Sequence, residues 1–123
     1  MLLQIKMKIG DILKGKKGGR NKAFHFIVYL RNNTADSFIG TVLTHSNKYK
    51  DNFLTKKEHF KEYDPSGEKY KFTFENTHIV GKQFIKPRDW GPFSKVGELT
   101  KEGIRFVNSK INNNAPIYWD NYL

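Results

Sequence analysis

The sequence predicts a mainly β domain: a small, strongly curved antiparallel sheet or barrel capped by one C-terminal helix. Three observations predict it. Short apolar runs rich in β-branched and aromatic residues recur along the chain, separated by polar loops rich in Gly, Asn, Asp and Lys. The clearest helical spacing of apolar residues falls near the end, over Gly97 to Ile111. The 123 residues suffice for one domain with its own core and leave little room for two.

Ile5 to Leu13 reads as the first strand, punctuated by Gly10 and Asp11. Residues 14–22, K-G-K-K-G-G-R-N-K, hold three glycines and five cations. They form a basic loop, either an arm that grips phosphates or a solvated hairpin tip. The G-K-[ST] ending of a phosphate-binding P-loop is absent. Phe24 to Leu30 is the second strand, Arg31 to Ser37 a turn, and Phe38 to Thr44 the returning third strand. A polar loop over 47–52 leads to Phe53–Phe60, a short strand or helical turn, and then to a loop around Asp64-Pro65-Ser66-Gly67. Tyr70 to Phe74 alternates aromatic and polar residues as a strand does. Thr77 to Ile85 is the next strand, with Gly81 at a bulge. Two prolines and a glycine make Lys86 to Phe93 an irregular loop. In the helix Thr100 suits the N-cap, Glu102 the first turn, and Ile104, Val107 and Ile111 the face that packs on the sheet. Residues 1–111 make the single domain. Residues 112–123 are a polar, then aromatic tail that docks on it, mediates self-association or stays disordered.

Composition narrows the function. Lys and Arg number 22 against 12 Asp and Glu, a formal charge of +10. That excess favours a polyanionic partner such as RNA or DNA. Cysteine is absent, which removes a disulfide framework, a thiol nucleophile and a thiolate zinc site, and fits a reducing cytosol. No run of 18 apolar residues exists, and the start lacks a signal-peptide apolar core, so the expectation is a cytoplasmic protein that does not cross a membrane. The four histidines show no metal-ligand spacing, and no G-x-S-x-G nucleophile elbow occurs.

The stretch Phe38 to Ser46, F-I-G-T-V-L-T-H-S, organises the chain. It is a buried strand ending in two hydroxyls and an imidazole, Thr44, His45 and Ser46, and groups at strand ends are held rigidly. A second histidine, His25, opens the run H-F-I-V-Y-L. Pairing of these strands brings His25 near Thr44, His45 and Ser46.

In this order the motifs resemble the MazF/PemK family of toxin endoribonucleases, whose fold is shared with the CcdB-type toxins. The residues that carry the resemblance are I-G-D-I at 9–12, the glycine-rich basic loop, H-F-I-V-Y-L, L-T-H-S at 43–46, T-H-I-V-G-K-Q-F-I-K at 77–86 and V-G-E-L-T-K-E-G-I-R-F-V at 96–107. The resemblance spans about residues 9 to 111. It implies an SH3-like, MazF/PemK-like barrel, metal-independent cleavage of single-stranded RNA with no cofactor, a homodimer, and an antitoxin protein that blocks the site. The family's Arg-Pro pair falls at His25-Phe26, so the usual catalytic arginine is missing, and the resemblance implies a divergent branch in which imidazoles take over the acid–base work.

Metal-free RNA cleavage needs a base for the 2′-OH, a cation for the phosphorane and an acid for the leaving 5′-oxygen. His25 and His45 are the candidate base and acid, with Thr44 and Ser46 as hydroxyl donors. Lys14, Lys16, Lys17, Arg20, Lys22 and Arg88 are candidate phosphate contacts, with His78 and Trp90 beside them in the RNA groove. Structural roles compete at each position. His25 and His78 suit hydrogen-bonded sheet histidines, His59 a solvated one, Thr44 or Ser46 a turn cap, and Trp90 burial against the final helix. Three functions follow: a toxin-like endoribonuclease, a non-catalytic module binding nucleic acid or protein on the same fold, and a basic accessory domain of a mobile element.

Overall fold

The computed structural model describes residues 7–16, 24–45, 52–72, 75–111 and 115–119. The chain is mainly antiparallel β-sheet with one C-terminal helix. Its elements are β1 (Asp11–Gly15), β2 (His25–Thr34), β3 (Ser37–Thr44), β4 (Asn52–Leu54), β5 (His78–Val80), β6 (Phe84–Pro87), β7 (Ser94–Glu98) and α1 (Lys101–Lys110). The strands run in the order β4-β5-β3-β2-β1-β7, with β6 also on β3. The sheet is open rather than a closed barrel. Among the described residues no ladder joins its ends; an isolated bridge between Phe60 and Leu99 brings them near each other. Among the described residues no helix is long and apolar enough to cross a membrane.

Most elements match the sequence reading, and the differences have local causes. The first strand begins at Asp11, because Gly10 takes a positive φ and the Lys8 N–H donates to Asp11 Oδ2 at 3.0 Å, which turns the chain just before it. β2 runs on to Thr34, so the hairpin turn shrinks to Ala35 and Asp36. Phe53–Phe60 holds both expected forms, β4 and a 3₁₀ turn at Lys57–His59. Gly81–Gln83 is the bulge: from Leu43↔Ile79 to Gly40↔Phe84, three steps along β3 face five along the β5–β6 edge. Over its described part, residues 70–72, the expected strand at 70–74 is a loop. Tyr70 and Phe72 sit in a loop whose Phe72 packs into the core, and residues 73 and 74 lie outside the description. Lys86 and Pro87 belong to β6 instead of a loop, and V-G-E at 96–98 is strand, so the helix starts later, at Lys101.

Alternation sorts the side chains onto two faces. The first face carries Ile12, Val28, Leu30, Ile39, Leu43 and Ile79, and α1 covers it with Ile104 and Val107. The second carries Leu13, Ile27, Tyr29, Phe38 and Val42, covered by Trp90, Phe93 and residues 115–119. That part of the tail therefore docks on the domain: the Ile117 N–H donates to the Gln83 carbonyl at 3.1 Å, and the Ile85 N–H to the Ile117 carbonyl at 2.9 Å. Residues 112–114 and 120–123 lie outside the description.

The helix is placed by its N-terminus. Thr100 accepts from the Gly103 N–H at 3.1 Å, and its hydroxyl donates to the Glu58 carbonyl at 2.6 Å. Its own N–H donates to the His59 carbonyl at 3.0 Å. The helix backbone then lies so close to His59 that a Cβ on Gly103 would collide with that carbonyl. We expect Gly103→Ala to lower the unfolding free energy by about 2 kcal/mol, since the turn cannot yield without breaking the cap; a denaturant melt measures it.

The β1–β7 seam holds a compensated buried charge. Glu98 is buried, yet Lys61 lies 2.7 Å from it, Lys8 3.1 Å, the Tyr70 hydroxyl 3.1 Å and Lys95 3.4 Å. Burial by itself raises the carboxyl, but the bonds from Lys61 and Lys8, the Lys95 charge and the Tyr70 hydroxyl outweigh it and hold Glu98 at about 2. A carboxylate lowered on folding contributes stability above its ordinary 4.5 and loses it as pH falls through about 2. The exposed lysines screen the gain to roughly 2 kcal/mol. Acid melts of Glu98→Gln should therefore lose most of the parent's pH dependence between those values.

Candidate active site

Strand register assembles a row of functional groups at one end of the sheet. Gly15 pairs with His25, Thr44 with His78, and His78 with Leu54. β2 and β3 pair at Phe26↔Leu43, so the next step along that ladder sets His25 beside Thr44. His25, Thr44 and His78 alternate in phase with Ile27, Val42 and Val80, which places all three on the second face. Two strand spacings separate the histidine backbones, about 10 Å. The half-buried His25 ring packs 5.0 Å from Trp90 and 5.2 Å from Trp119, centroid to centroid. His78 Nδ1 is buried with no hydrogen-bond partner among the described residues.

Beside this row lies a group that sequence reasoning missed. Lys86 on β6 pairs with Phe38 and is fully buried, at 0% exposure. Its Nζ lies 3.8 Å from the Trp90 ring centroid and 5.2 Å from those of Trp119 and Phe84. No hydrogen-bond partner reaches it among the described residues. Burial pushes the amine from 10.5 down to about 7. His25 is lowered too, by burial first and then by the Lys86 charge. Two basic groups thus meet the same indoles, and each gives up its proton more readily than in water. The sequence signal was present: Phe84, Ile85 and Lys86 alternate, so a strand through them turns Lys86 to the same side as Phe84.

The other expected residues are distributed around this nest. Lys14 and Lys16 flank Gly15 and set their ammoniums 4.0 and 4.4 Å from the ring centroid of Phe24, which is 48% exposed. Phe24 was not singled out from sequence, although two cations near an exposed aromatic make a stacking platform for single-stranded nucleic acid. Lys17, Arg20, Lys22, Ser46 and the Arg88 side chain lie outside the description. His45 follows Thr44 at a bend, is exposed, and has its Nδ1 3.1 Å from the Asn76 carbonyl. Trp90 is buried, though against Lys86 and His25 on the second face and not against the helix. His59 is also buried: it stacks on Phe106 at 4.2 Å and accepts the Lys56 N–H at 3.0 Å, where a solvated ring was expected.

No family model, no curated protein and no solved structure matches the chain.

A lysine lowered on folding costs stability wherever it must stay charged in the folded state. The cost is full below about 7 and fades as pH rises toward 10.5, because the unfolded chain holds the extra proton across that window. Lys86→Met, similar in length and apolar, should therefore raise stability near pH 7 by roughly 2–4 kcal/mol and progressively less toward pH 10. Paired denaturant melts across that range read both the sign and the window.

Proposed function

We propose that this protein is a metal-independent endoribonuclease acting on single-stranded RNA, a divergent toxin on a MazF/PemK-like fold. The observation that carries the reading is the His25–Thr44–His78 row on the second face, with Lys86 against the same tryptophans; the Lys14–Lys16–Phe24 platform stands at the same end of the sheet but out of phase with the row, on the first face. In this mechanism the neutral His25 imidazole takes the 2′-OH proton, and the 2′-oxygen bonds to phosphorus. The P–O5′ bond then breaks, and a protonated His78 delivers its proton to the 5′-oxygen. The products are a 2′,3′-cyclic phosphate and a 5′-hydroxyl. A neutral base at physiological pH suits the lowered His25, and the net charge of +10 suits the substrate. His45 stands apart in this scheme, held against Asn76. A toxin of this kind implies a cytoplasmic site of action, a homodimer and an antitoxin segment as partner.

A second reading keeps the platform and omits the chemistry. Exposed Phe24 under two lysines binds single strands without any acid or base. The two readings part in one assay, RNA and matched DNA incubated with the protein in EDTA. We expect RNA fragments ending in cyclic phosphate, intact DNA, and at least a hundredfold loss of cleavage in His25→Ala with binding retained. Salt-sensitive binding with no fragments would select the binding module.

A further inference from the structure

We propose that Lys86 is a latent binding group for a phosphodiester anion, and that residues 115–119 are the displaceable cover that hides it. The cover's backbone attachment, among the described residues, is short, and its Trp119 ring packs 5.2 Å from Phe84. One isolated bridge joins Ile117 to Phe84, with two backbone hydrogen bonds at 3.1 and 2.9 Å. Such bonds contribute about 1 kcal/mol each. Ile117 and Trp119 are only half-buried, and Tyr118 between them is 51% exposed. Yet this short segment supplies Trp119, which touches both His25 and Lys86.

What lies beneath is chemically incomplete. Among the described residues Lys86 sits between three aromatic rings with no hydrogen-bond partner, and the titratable side chain facing it is His25, itself a base. Asp89, on the neighbouring Arg88–Trp90 turn, is exposed. The missing complement of a buried ammonium is an anion. Lifting Trp119 opens one wall of the cage while Trp90 keeps Lys86 oriented, and a phosphate oxygen arriving there would restore the positive charge. Beside His25, that ammonium becomes the cation that phosphorane formation requires. The choice of RNA as the source of the phosphodiester rests on the ribonuclease reading; the covered anion site does not.

The test uses the full chain labelled with ¹³Cε-lysine, inorganic phosphate as the probe, and two variants. Trp119→Ala removes the wall. Ile117→Pro removes the bond to Gln83 and loosens the cover without changing any cage side chain. Both should raise the Lys86 titration midpoint by at least about one unit, and phosphate should raise it again in the variants but not in the parent. Cleavage of RNA in EDTA should rise about tenfold in either variant and vanish when Lys86→Met is added. An unchanged midpoint in folded variants overturns the cover, and so does loss of folding in both, which would make 115–119 part of the core. A midpoint that moves with the variants but ignores phosphate overturns the anion site. A phosphate response without RNA cleavage upholds the covered site and rejects the ribonuclease reading.

Discussion

Burial of β3 on both faces is the constraint from which the rest of the structure follows. Ser37 to Leu43 are all buried, β2 lines one edge, and β5 and β6 share the other. A strand covered on both faces needs two separate apolar layers. The chain devotes its α-helix to one of them, where Ile104 and Val107 meet Ile12, Val28 and Leu43. The second layer is assembled from irregular segments that bring Trp90, Phe93, Ile117 and Trp119. Large aromatic rings suit that task, since few residues of irregular chain can then cover a wide face.

Lys86 is a consequence of this arrangement. Alternation along β6 sends it inward beside Phe84, and the aromatic cover closes over it with no counter-charge among the described residues. Glu98 makes the contrast within the same molecule. It is buried too, but four donors surround it, and its charge is held firmly. A buried charge with partners reinforces a seam; a buried amine without them opposes folding. That opposition is why the proposed site is set at Lys86 and the second face.

Position in the sheet also divides the histidines. His25 and His78 lie in one row of one face, next to Thr44, because three strands end together there. His59 instead accepts a backbone N–H and stacks under the helix, which makes it a hinge of packing. His45, one residue past Thr44, leaves the strand at a bend and turns to Asn76. Identical side chains thus take different chemistry from the element that carries them.

The sequence by itself determined what depends on near neighbours. The apolar runs at 24–30 and 38–44, the bulge at Gly81 and the Thr100 cap were legible because alternation, turn chemistry and capping act within a few residues. Tyr70–Phe72 was misread as strand because an aromatic alternation serves equally well in a loop that drops Phe72 into the core. Gly97 and Glu98 were read into the helix because a strand paired to β1 and a helix start both admit G-E. Only the tertiary structure decided which histidines share a row, which tryptophans cover Lys86, and that part of the tail lies over both. Those outcomes depend on register and on burial from two sides, which are settled between residues far apart in the chain.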